Sequence, residues 1–217
     1  MKNVLSREEA SIIKDCLIWG DVKLHRFYEV GVYRLRLREI ASSCGVSAGL
    51  VSHALKPLQQ MGAIQMYTRG FEVLDAWKIL LFWCNVRRLW ADVVYLNRVD
   101  MPVEKIEGIV PPKASFTAYT GFKHRFGYVP ADYGEVVVYG VAEEFEERFG
   151  EAQYTERPNL IVLKIDEHLL KFSKIPLAQI YVDLWNLGTW YAREFIAKLE
   201  KHLQQTPVGG GNDGILA

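Results

Sequence analysis

The chain of 217 residues is poor in the signatures of chemistry. Its three cysteines, Cys16, Cys44 and Cys84, are scattered and odd in number. That excludes a disulfide framework and the paired spacing of a metal site, and it makes a reducing cytoplasm the natural setting. Residues 101–217 contain no His-x-x-x-His, no Gly-x-Ser-x-Gly and no Gly-Lys-Ser/Thr, so no metalloprotease helix, nucleophile elbow or phosphate loop is spelled out in that half. No cofactor or metal is expected. Long apolar runs are also missing. The most hydrophobic window, DAWKILLFWCNVRRLWADVVYL, is interrupted by Lys78, Arg87, Arg88 and Asp92, which argues for a covered helix and against a membrane span. The first residues, MKNVLSREEASIIKDCL, carry charges every few positions and do not read as a signal peptide. Net charge is absent as well, with 26 basic residues against 26 acidic ones.

What is present is an ordinary globular composition, 50% apolar and 24% charged, with enough chain for two modest cores. The charge is not evenly spread. Residues 1–90 hold 13 Lys and Arg against 8 Asp and Glu, a net of +5, and the remainder holds 13 against 18, a net of −5. A local basic patch, and not the total, is what a nucleic-acid footprint requires.

Ser6 with Glu9 has the form of a capping box, opening a helix whose buried face is Ile12, Ile13, Cys16 and Leu17. The central signal is LRLREIASSCGVSAGLVSHALKPLQQMGAI. It divides into a helix over residues 37–43, a turn at Cys44-Gly45-Val46 and a second helix from Ser47 to about Gln60. Gly45 supplies positive φ and Ser47 a capping hydroxyl. Ile40, Ala41, Val46, Leu50, Val51, Ala54, Leu55 and Leu58 fall at three- and four-residue spacings that pack the two helices together. Pro57 removes one helical hydrogen bond and is expected to bend or shorten the second helix. AIQMY, a turn at Thr68-Arg69-Gly70 and FEVLD then read as two short strands with a basic tip.

This is the layout of a winged helix-turn-helix, whose second helix enters the major groove of double-stranded DNA. Ser47, Ser52, His53 and Lys56 lie on the groove-facing side, with Arg34, Arg36, Arg38 and Arg69 placed for backbone phosphates. That face is thin in Arg, Asn and Gln, so one copy should discriminate modestly and a homodimer better. A winged helix can also serve as a protein-binding module.

The domain organisation read from these patterns is a winged helix-turn-helix domain over residues 1–75, a connecting helix over 76–100, a small mixed α/β domain over 101–204 and a disordered Gly-rich tail over 205–217. The fold class is α/β of the α+β kind. In the connecting helix Trp77, Leu80, Leu81, Val86, Trp90, Val93 and Val94 recur at helical spacing. The α/β domain reads as a helix over residues 115–125, a strand at GEVVVYGV, an acidic helix at EEFEERFG, a strand at PNLIVLKIDE and helices over 177–185 and 189–203. Within it Thr120, Lys123, His124 and Arg125 are the candidates for binding an anion or a protein partner. Asp183, inside an apolar helix, caps a neighbouring helix or pairs with a buried base. A second reading makes this half a nuclease or nucleotide-processing enzyme built on Lys164, Asp166, Glu167 and Asp183. Lys164 and Asp166 share a strand face.

The combination resembles the AbiEi family of antitoxins from type IV toxin–antitoxin systems. The likeness is carried by the helix-turn-helix, by ASFTAYTGFKHRFG with Thr120-Gly121 and the later Pro130, and by IPLAQIYVDLWNLGTWYAREFIAKL. In the last segment Pro176, Gln179, Tyr181, Asp183, Leu184, Gly188, Ala192, Glu194 and Leu199 match the family's pattern. The resemblance implies a non-enzymatic regulator that represses its own operon and antagonises a nucleotidyltransferase-like toxin. For solitary relatives it implies regulation alone.

Overall fold

The computed structural model describes residues 34–165 and 169–204. The helix expected after Ser6, the acids Asp166 and Glu167 and the Gly-rich tail lie outside the described residues. Within them the chain is a mixed α/β fold with several helices and two small β-sheets.

The first sheet forms around an alternation in the sequence. Strand β1 (Arg34–Arg36) buries Leu35 and exposes both arginines. Helix α1 (Leu37–Cys44) stops where Gly45 takes φ 64°, and the Val46 N–H returns to the Ala41 carbonyl at 2.9 Å. Helix α2 (Ala48–Gln60) starts at once, its Leu50 N–H donating to the Ser47 hydroxyl at 3.2 Å. Pro57 is accommodated inside α2, which runs on to Gln60 without being shortened. Strands β2 (Ile64–Tyr67) and β3 (Gly70–Val73) follow, and the sheet is antiparallel in the order β1-β3-β2. Ile40, Val51, Leu55, Leu58, Ile64 and Phe71 close its core.

One detail of the hairpin corrects the sequence reading. Tyr67 pairs with Gly70, so the loop is Thr68-Arg69 alone and Gly70 belongs to the strand. Gly70 is required for contact and not for turning. A Cβ there would stand 2.2 Å from the Leu35 carbonyl oxygen on the neighbouring strand.

The connecting helix is shorter than the periodicity suggested. Helix α3 (Ala76–Val86) is capped by Asp75, which accepts from the Lys78 N–H at 2.9 Å, and it ends at an extended Arg87. A single 3-10 turn (Leu89–Asp92) leads into strand β4 (Val93–Asn97). Residues 87–100 therefore do not continue the helix. Val93, Val94 and Tyr95 favour a pleated surface, and here they find a partner strand.

That partner sits in the second sheet, ordered β4-β7-β6-β5 from strands β5 (Ser115–Phe116), β6 (Val136–Gly140) and β7 (Leu160–Lys164). Strands β6 and β7 run parallel, joined through helix α6 (Ala142–Phe149). Both are nearly continuous apolar runs because both faces are covered. Val136, Val138, Leu160 and Val162 meet Phe145 and Ile106, the latter on helix α4 (Val103–Ile109). Val137, Tyr139, Ile161 and Leu163 face helices α5 (Ala118–Phe126), α7 (Leu177–Leu187) and α8 (Ala192–Gln204). Helix α4 was not anticipated, and the helix expected over 115–125 begins instead with β5.

The larger core cluster is continuous from Leu35 to Leu203. It crosses from the first sheet to the second where α3 packs on α7. There Trp77 meets Tyr181 edge-on, ring centroids 5.8 Å apart, and the Asn186 amide donates to the Cys84 carbonyl at 3.2 Å.

Candidate functional site

Along α2 the burial sorts cleanly. Val51, Ala54, Leu55 and Leu58 are buried, whereas Ser47, Ala48, Gly49, His53 and Lys56 are exposed and Ser52 is half-buried. The open face therefore has small residues at its N-terminal end, where a backbone can approach closely, and a lysine two turns on. No acidic residue occurs in α2, so this face carries no carboxylate of its own.

The basic residues divide into two groups. Arg36 pairs with Gly70, which brings it beside Arg69 in the exposed hairpin loop. Arg38 is exposed in the first turn of α1. Arg34 lies further down the strand, where its Nε is 3.4 Å from the Glu72 carboxylate. Tyr67 donates to the same oxygen at 2.9 Å, and that hydrogen bond pushes its phenol up. Arg34 is thus partly neutralised by its own sheet.

In the second half, the geometry separates residues that the sequence grouped. Thr120 is fully buried and its hydroxyl donates to Glu107 on α4 at 2.7 Å. Lys123 Nζ donates to the other oxygen of the same carboxylate at 2.7 Å, and the Tyr133 hydroxyl completes the group. Burial works against the Glu107 charge, but Lys123, Tyr133 and Thr120 together hold its carboxyl below the ordinary range. The expectation that Thr120 meets a partner is corrected on burial, and Lys123 is already ion-paired. His124 and Arg125 point elsewhere, into a cleft shared with Ser173 and Lys174.

Asp183 pairs with a buried base, one of the two roles expected of it. It is completely buried, and its Oδ2 accepts from the Thr117 hydroxyl at 2.7 Å and from Tyr139 at 2.8 Å. Its Oδ1 accepts from the Gln179 amide at 3.0 Å and lies 3.9 Å from Arg87 Nε. Burial pushes the carboxyl above its ordinary range, against the opposing pull of Arg87 and the three donors. For Arg87 burial disfavours the charge, but Tyr139, Asp183 and Asp92 outweigh it and the guanidinium is held protonated. Ala118, next to Thr117, adopts φ 48°, a left-handed conformation costing about 1–2 kcal/mol for a residue with a Cβ. The cluster ties the end of α3 to β6, β5 and α7. Arg87 was missed as its keystone, although a pair of arginines inside NVRRLW was the available signal.

The alternative enzymatic grouping is not assembled among the described residues. Lys164 is exposed and shares strand parity with Leu160 and Val162, which face α4 and α6. Asp183 is enclosed on the opposite side of the sheet with Tyr139. Among the described residues no group of three His, Cys, Asp or Glu side chains could hold a metal ion, and no helix is long and apolar enough to cross a membrane.

Comparison with protein-family models, with curated proteins and with solved structures gave no match to this chain.

Proposed function

We propose that the first sheet and its helices form a winged helix-turn-helix and that the protein is a DNA-binding transcriptional regulator. The chain order of strand, helix, turn, helix and hairpin supports this reading, as does the β1-β3-β2 sheet order. The observation that carries it is the open, acid-free face of α2, together with the exposed Arg36 and Arg69 of the sheet that shares the same core.

In this reading α2 enters the major groove with Ser47, Ser52, His53 and Lys56 toward base edges and phosphates. Arg36 and Arg69 hold the backbone from the hairpin, Arg38 adds a contact from α1, and Arg34 contributes less because Glu72 answers part of its charge. Short hydroxyls and one lysine give little bidentate base readout, so a homodimer spanning two half-sites supplies the discrimination. The resemblance to AbiEi antitoxins extends the proposal to a repressor of its own operon, with the second half meeting a nucleotidyltransferase-like toxin.

The test is fluorescence anisotropy with a duplex from the upstream region of the gene against a scrambled duplex, across a salt series. Four phosphate contacts should give a log–log slope of about −3.6, so binding should weaken roughly 150-fold between about 50 and 200 mM salt. Equal, weak and salt-insensitive binding to both duplexes refutes the reading.

A further inference from the structure

We propose that Glu72 holds Arg34 in reserve and so sets the affinity of the first sheet for a phosphate backbone. This inference rests on the DNA-binding reading and deepens it. Strand β1 buries Leu35 and turns Arg34 and Arg36 to the same outward face. Two residues along an extended strand are about 6.6 Å apart, close to the separation of neighbouring phosphates on one DNA strand. The strand is therefore spaced to hold two phosphates in a row, one at each arginine. The two arginines differ in what stands opposite them. Arg36 is paired with Gly70, which has no side chain, whereas Arg34 is paired with Glu72.

The Glu72 carboxylate occupies the place that the second phosphate would take. Arg34 Nε lies 3.4 Å from Glu72 Oε2, and the Tyr67 hydroxyl donates to the same oxygen at 2.9 Å. On its other side Glu72 is paired with Gln65, a neutral residue, so Arg34 is the cation it answers. The Arg34 side chain is 79% exposed and can follow a phosphate, but Glu72 is only 26% exposed and is tied to Tyr67. The pair itself is weak, as exposed pairs are. A phosphate that reached Arg34 would nevertheless meet the fixed carboxylate beside it, and like-charge repulsion would cancel what the arginine offers. Of Arg34, Arg36, Arg38 and Arg69, Arg34 alone is ion-paired among the described residues.

Fluorescence anisotropy of the full chain with its upstream duplex, across the same salt series, tests the assignment on Glu72→Gln, Arg34→Ala and the double variant. Glutamine keeps an acceptor for Tyr67 and removes the charge. Glu72→Gln should steepen the log–log slope by about 0.9, the release of one further counterion, and tighten binding about eightfold at about 100 mM salt. Arg34→Ala should weaken the wild type less than Arg36→Ala does. In the Glu72→Gln background the same Arg34→Ala change should erase the whole gain. The assignment is overturned by Glu72→Gln binding no tighter than wild type, or by a gain that survives Arg34→Ala, which would be an effect of overall charge. Equal losses from Arg34→Ala and Arg36→Ala in the wild type overturn it too. Each of these results leaves the DNA-binding reading standing. Weak, salt-insensitive binding by the wild type and every variant refutes that reading, and this inference with it.

Discussion

Replacing Arg87 by methionine should be the most damaging single change at the junction between the two sheets. The arginine side chain is only 10% exposed and its partner Asp183 is 0% exposed. Methionine fills much of the same volume but leaves the Asp183 carboxyl buried with only the neutral donors of Thr117, Tyr139 and Gln179. Removing one member of a buried pair costs about 3–5 kcal/mol. The donors that remain place the expected loss at the lower end, about 3 kcal/mol, which for a chain of this length is a fall of roughly 6–12 °C in Tm. The pH dependence adds a sign. Asp183 has a folded-state pKa above its unfolded value of about 3.9, so its contribution is fully present below that value and is lost as pH rises through the folded pKa. Without Arg87 the folded pKa rises further, and the variant's deficit should grow from acid toward neutral pH. Urea unfolding of wild type, Arg87→Met, Asp183→Asn and the double variant at two pH values measures this directly. The double variant should cost clearly less than the sum of the singles. A deficit under about 1 kcal/mol, or additivity within about 0.5 kcal/mol, refutes the reasoning.

Gly70→Ala should destabilise by about 3 kcal/mol or more, because the added Cβ meets backbone that cannot swing away. Gly108→Ala in α4, where a Cβ meets nothing within 4 Å, should be neutral or stabilising by about 0.5–1 kcal/mol, and thermal denaturation of both variants checks the contrast. Glu107 has a lowered folded pKa, so its stabilisation is present above its unfolded value of about 4.3 and is lost as pH falls through the folded one. Glu107→Gln should therefore lower the denaturation midpoint at neutral pH and flatten its acid limb. Lys56→Ala should reduce the salt slope of duplex binding by about 1 if the lysine meets phosphate, and should instead relax sequence preference if it reads a base.

The parts of the fold legible in the sequence were those where local chemistry and packing agree. The α1–α2 pair was readable because its apolar spacing, the αL glycine at Gly45 and the Ser47 cap all point to one geometry. Strands β6 and β7 were readable as dense β-branched runs. The misreadings have a common physical origin in partners distant along the chain. VVYLN looked like more helix because the strand that pairs with it, β7, lies some sixty residues later. Helix α4 buries little besides Ile106 and gives a weak periodic signal. Missing it hid Glu107, and with Glu107 the reason that Thr120 is buried. The open residues of α2 were legible because a helix face depends on spacing alone. The cleft beside α5 was only half legible, since Ser173 and Lys174 join His124 and Arg125 from about fifty residues away. Gly70 shows that identity can be read correctly and the reason missed, because its constraint is the neighbouring strand.

The most direct test of the central claim is amide hydrogen exchange on the full chain with and without its upstream duplex. The account predicts new protection over residues 47–56 and at Thr68–Gly70, with residues 101–204 unchanged. Protection confined to residues 101–204, or none under conditions where the duplex is bound, would contradict it.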